Sequence, residues 1–92
     1  MNEVHLVGTV EHLRRAYMPD GGEAITYEIS TDAGHVPVHA VDGPWRHIGV
    51  GARVEVYGSI RRRFARDSGT IVSRVEVVPT RIVKLTNAEV AS

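Results

Sequence analysis

The chain opens on a period of two. Val4, Leu6, Gly8 and Val10 alternate with His5, Val7 and Thr9. A period of two puts each set on its own face of a strand. This predicts a first strand over Glu3–Glu11, extending toward Arg15. A second strand is predicted over Ala24–Thr31, with Ile25, Tyr27 and Ile29 on one face and Thr26, Glu28 and Ser30 on the other. Between them, Pro19 can start a turn and Gly21 or Gly22 can supply a positive φ. A third strand is expected over His35–Val41, where Val36, Val38 and Ala40 share a face. Pro37 puts that strand at an edge or distorts it. Asp32-Ala33-Gly34 and Asp42-Gly43-Pro44 are turns, and Trp45–Gly51 is long enough for one helical turn only.

The fourth strand is predicted over Arg53–Arg63, with Val54, Val56, Gly58 and Ile60 inward. Asp67-Ser68-Gly69 turns the chain into a fifth strand, Ile71–Val78, with Val75 and Val77 inward. Pro79 is expected to interrupt that strand, and Ile82–Leu85 to continue it. The pattern contains no convincing helix. Five short strands, with a glycine inside the first and the fourth, suit a small closed barrel, because interior glycines permit sharp bends. Periodicity alone leaves the five-stranded Greek-key OB-fold and SH3-like barrels both open.

Composition narrows the class. Ninety-two residues make one domain with a single core, and 42% hydrophobic residues fit a globular chain. No apolar run approaches a membrane span, and no signal peptide is apparent. The absence of cysteine excludes disulfides and thiolate chemistry. A cytoplasmic protein without membrane partners is expected. Net charge is zero, but its distribution is uneven. Residues 1–45 sum to −5 and residues 46–84 to +6. A basic half can track phosphates even in a neutral chain.

Several stretches together resemble one family. Asn2-Glu3-Val4-His5-Leu6-Val7-Gly8 and the turn Tyr17-Met18-Pro19-Asp20-Gly21-Gly22 are similar to the opening of bacterial single-stranded DNA-binding proteins (SSB). So are Gly51-Ala52-Arg53-Val54-Glu55-Val56-Tyr57-Gly58 and the basic segment Arg61-Arg62-Arg63-Phe64 before Asp67-Ser68-Gly69. Ser73-Arg74-Val75-Glu76-Val77-Val78 resembles the family's final strand. The likeness spans residues 2–85, at moderate specificity. It implies an all-β, five-stranded OB-fold barrel over residues 1–86; residues 87–92 read as a short flexible end.

The resemblance also has departures. The second hairpin is cut to Asp32-Ala33-Gly34, and Val36 stands where many of the family place a stacking Trp. The helix before the fourth strand is nearly absent. The sequence closes on Ala88-Glu89-Val90-Ala91-Ser92 and shows no acidic tail, as is also the case for the related primosomal replication protein B. The resemblance therefore leaves open a compact, divergent member, a protein of that second kind, or a chain cut short of its tail. Phe64 lies one residue nearer to Gly58 than the family's aromatic, and one residue reverses the face of a strand.

Binding a single strand needs cations for phosphates and flat groups for bases. The candidate nucleic-acid-binding residues are Arg14, Arg15, Tyr17, Arg53, Tyr57, Arg61, Arg62, Arg63, Phe64 and Arg66. The strongest cluster is Arg61–Arg66 with Phe64, set against the reading of a solvated hairpin tip. Tyr57 suits base stacking and an oligomer interface equally. Tyr27 is read as core, and Trp45 as a plug at the barrel's end. His35 and His39 lie four apart on a strand, about 13 Å, too far for one metal ion. No catalytic constellation is present, so no enzyme, metal or cofactor is expected.

The reading is a binder of single-stranded DNA with little sequence specificity, in replication, recombination or repair. It is expected to form a homodimer or homotetramer, with replication or recombination proteins as further partners. The alternative is a protein-interaction module of an SSB-like or primosome-like assembly with weak DNA binding.

Overall fold

The computed structural model describes residues 2–45 and 47–85. Five strands run in the order β1 (Val4–Tyr17), β2 (Glu23–Thr31), β3 (Gly34–Val41), β4 (Arg53–Asp67) and β5 (Thr70–Lys84). They close a barrel in the spatial order β1-β2-β3-β5-β4. No helix occurs among the described residues. The short flexible end expected over 87–92 lies outside the described residues.

The predicted inward sets form the core. Val10, Tyr27, Ile29, Val38, Val54, Val56 and Val77 are buried. Ile48, in the connector before β4, joins them as a plug. Trp45 packs on this cluster, and its carbonyl accepts a 2.7 Å hydrogen bond from the Tyr27 hydroxyl. The connector makes turns, with Ile48 N–H donating to Trp45 O and Ala52 N–H to Gly49 O.

Gly8 and Gly58 sit where strands bend across one another. A side chain at Gly8 would collide with the Ser30 carbonyl, and one at Gly58 with the backbone of Val78 and Pro79. Turn chemistry also follows the sequence. Gly21 N–H donates to Met18 O, closing the turn that Pro19 opens, and Gly21 takes φ 93°. Ser68 and Gly69 both have positive φ, 52° and 81°, which is the two-residue hairpin turn whose twist matches the flanking strands.

The structure adds one feature to the expected pattern and corrects two expectations. Glu11 is an extra residue in β1, because Val10 faces Ile29 and His12 faces Glu28. This bulge flips the alternation, so Leu13 packs against the core. Pro79 does not interrupt β5. It pairs with Gly58 while Arg81 pairs with Tyr57, so Thr80 is the extra residue, and its hydroxyl donates to Tyr57 O. Ile60 and Val75, predicted inward, are 45% and 46% exposed. Their phase is as expected. However, β4 pairs with β1 only from Arg53 to Gly58, and beyond that the β4–β5 hairpin is a two-stranded arm, which leaves both side chains part-exposed.

Candidate nucleic-acid interface

The outward face of β2 and β3 lies between two arms, the distal part of the β1–β2 hairpin and the β4–β5 hairpin. Register dictates which side chains meet there. Arg14 pairs with Thr26, and Thr26 with His39, so these three form one outward row. On the other arm Arg63 pairs with Arg74, and Arg61 with Glu76. The two rows border a cavity of about 320 Å³ lined by Arg14, Thr26, Pro37, His39, Arg63, Arg74, Val75 and Glu76. A second cavity, also about 320 Å³, extends past Arg14 to His12, Leu13 and Glu28.

The charge around the first cavity is set by one carboxylate, Glu76, and four guanidinium groups, with Glu28 farther along the trough. Glu76 is buried, and its Oε2 accepts from Arg61 Nη2 at 3.0 Å while Arg63 Nη1 lies 3.8 Å from Oε1. Arg74 faces Arg63 directly across the strands, a like-charge pair that opposes folding. Arg74 and Arg14 have no carboxylate partner among the described residues. His39 Nδ1 shares a 3.0 Å hydrogen bond with Thr26 Oγ1. Burial, reinforced by Arg63 and Arg61 and opposed by Glu76, holds the His39 pKa below the usual imidazole value. The imidazole is therefore neutral near pH 7, and the groove carries an excess of positive charge.

The predicted site residues divide among four places. Arg14, Arg61 and Arg63 meet in the groove. Arg62, Phe64 and Arg66 lie on the opposite face of the β4–β5 arm, paired with Val75, Ser73 and Ile71. Arg62 donates to Ser73 Oγ at 2.9 Å, and Phe64 is 66% exposed. Phe64 shares the phase of Arg62 rather than Arg63, so the one-residue offset seen in the sequence does turn it away from the groove.

Arg15 and Tyr17 point to the other side of β1, beyond the Glu11 bulge. Arg15 lies 3.7 Å from Glu23, and Tyr17 borders a separate cavity of about 310 Å³ with Trp45 and Asp42. Arg53 and Tyr57 lie on the β1–β4 face. There Arg53 donates to Thr9 Oγ1, Tyr57 stacks on His5 with ring centroids 4.5 Å apart, and Arg81 sits 5.7 Å from the Tyr57 ring centre.

Arg74, His39, Thr26 and Glu76 were missed as site residues. Arg74 was within reach: counting back from the Ser68-Gly69 turn places it opposite Arg63. The other three depend on how β3 meets β5, a single parallel pairing of Val38 with Val77, which no local pattern announces. No group of three or more potential ligands for a metal ion occurs among the described residues. No helix there is long and apolar enough to cross a membrane.

The sequence matches no family model and no curated protein. Solved structures do match. The chain is similar to Plasmodium falciparum SSB in complex with ssDNA, with a TM-score of 0.79, 16% identity, and coverage of 94% of this chain and 96% of that one. It is similar to a small single-stranded DNA-binding protein from Streptomyces coelicolor, with a TM-score of 0.62, 17% identity, and coverage of 91% and 95%. A deletion mutant of the Thermus aquaticus single-stranded DNA-binding protein gives a TM-score of 0.74 at 21% identity, with 95% of this chain spanning 51% of that one. Barrel closure, strand order and these likenesses together establish the fold as a five-stranded OB barrel, the one these single-stranded DNA-binding proteins share.

Proposed function

We propose that this chain binds single-stranded DNA with little sequence specificity, in cytoplasmic DNA replication, recombination or repair, without catalysis or cofactor. The observation that carries the reading is the groove: Arg14, Arg61, Arg63 and Arg74 around one buried carboxylate, on the face where OB-folds take oligonucleotides. Phosphates neutralise the unpaired guanidinium groups, and guanidinium planes also stack on bases. Phe64, Arg62 and Arg66 offer a second stacking surface as the strand passes over the β4–β5 arm. The fold also carries a likeness to an SSB solved with ssDNA. Self-association extends the phosphate track, and the exposed β1–β4 face with Val7, His5 and Tyr57 is its candidate surface.

The test is a fluorescence-anisotropy titration with a labelled unstructured oligonucleotide and with its duplex, each at two salt concentrations. The expected result is tighter binding of the single strand, weakened by salt. Equal affinity for duplex and single strand overturns the reading. An absence of binding to either favours a protein-interaction module.

A further inference from the structure

His39 occupies the middle of the groove floor, between the two arginine-bearing arms. Charged and titratable groups face it from every neighbouring strand. Arg14 comes from β1, with His12 and Glu28 farther along the same trough. Arg61 and Arg63 come from β4, and Arg74 and Glu76 from β5. Thr26 of β2 holds Nδ1, which leaves Nε2 as the nitrogen able to meet a ligand. A hydroxyl donates to a bare ring nitrogen and accepts from a protonated one. Thr26 can therefore keep its bond in both charge states, and the imidazole can titrate without rearrangement.

In the free groove burial opposes an imidazolium most, and Arg63 and Arg61 add to it. Glu76 is the carboxylate beside the ring that favours it, and it is already engaged by Arg61 at 3.0 Å and Arg63 at 3.8 Å. A phosphodiester between Arg63 and Arg74 reverses the balance. It adds negative charge beside the ring and draws the guanidinium groups to itself.

Resting on the reading of the groove as a nucleic-acid site, we propose that His39 is a phosphodiester-binding residue that takes up a proton when single-stranded DNA fills the groove. Burial and the arginines keep the ring neutral beforehand. The sign follows: the bound state holds the proton more tightly, so affinity rises as pH falls. The total gain equals the ratio of the two proton affinities, about tenfold in Kd for each unit by which the bound pKa exceeds the free one.

The experiment uses the full chain and an oligothymidylate, whose bases do not titrate between pH 5.5 and 8. Kd is measured across that range at fixed ionic strength for the wild type, His39→Gln and His12→Gln. Wild-type Kd should fall by about tenfold toward low pH for a one-unit rise. His39→Gln should flatten the profile, and His12→Gln should keep it. Calorimetry of the wild type at pH 6, in two buffers of different ionisation enthalpy, should report net proton uptake even if a variant folds poorly. A flat wild-type profile, a slope that survives His39→Gln, or no proton uptake overturns the proposal. A chain that binds no oligothymidylate at any pH or salt overturns the groove reading as well, a result distinct from binding without pH dependence.

Discussion

Replacing Arg74 by Ala separates binding from folding more cleanly than any other change in the groove. Arg74 stands opposite Arg63 and has no carboxylate partner among the described residues. Its loss removes a cross-strand like-charge contact, so folding stability should stay within about 0.5 kcal/mol of wild type or rise slightly. Binding should weaken, because one phosphate contact disappears. Each such contact contributes about 0.7 to the single-strand salt slope, so a fourfold rise in salt should narrow the gap between variant and wild type by about 2.6-fold.

Arg61→Ala is the contrast. Arg61 holds Glu76, whose side chain is 8% exposed, and truncation leaves that carboxylate with Arg63 at 3.8 Å. A buried acceptor stripped of its donor costs about 1–3 kcal/mol. Urea unfolding reads the stability of both variants, and anisotropy at 50 and 200 mM salt reads their binding. If Arg74→Ala leaves the salt slope unchanged, phosphates do not run between Arg63 and Arg74, and the groove is wrongly placed.

Three further outcomes follow from the geometry. Gly58→Ala should destabilise the barrel by about 1–3 kcal/mol or more, because the new methyl overlaps the Val78–Pro79 backbone, with Pro79 Cα only 2.8 Å away; an unchanged thermal midpoint would refute the close approach. Phe64→Ala should leave stability unchanged, since the ring is exposed, and weaken binding by about 1–3 kcal/mol if bases stack on the outer face of the arm; unaltered affinity would confine the strand to the groove side. Hydrogen bonds from His35 and His5 hold the Glu11 and Glu55 carboxyls below the ordinary value of 4.5. A depressed folded pKa gives stability that is present above the unfolded value and lost as pH falls through the folded one. Urea midpoints should therefore drop below about pH 4.5, and less steeply in a Glu11→Gln, Glu55→Gln double variant; identical profiles would contradict the two pairs.

Local pattern carried most of the barrel. The alternation of Val4, Leu6, Gly8 and Val10, the face of Ile25, Tyr27 and Ile29, and the pair Val54 and Val56 reflect burial imposed with a period of two. Their positions in the structure follow. Insertions that break the period were harder to see. The Glu11 and Thr80 bulges each add one residue, and only the shift from Val10 to Leu13 hinted at the first. Ile60 and Val75 show the limit of the signal: an apolar phase persists along a strand after the barrel that would cover it has ended. Arg61 and Arg63 could be read as a basic cluster, but their alternation with Arg62 and Phe64 places half of it on each face of the arm. His39 and Glu76 meet only through the β3–β5 closure, a contact between distant segments.

The most direct measurement is an amide and side-chain chemical-shift map of the full chain during titration with an oligothymidylate. The groove reading predicts the largest shifts at Arg14, Thr26, His39, Arg63, Arg74 and Glu76, with His5, Tyr57 and Arg81 on the β1–β4 face little affected. Shifts concentrated on that face, or around Tyr17 and Trp45, with the groove silent, would contradict it.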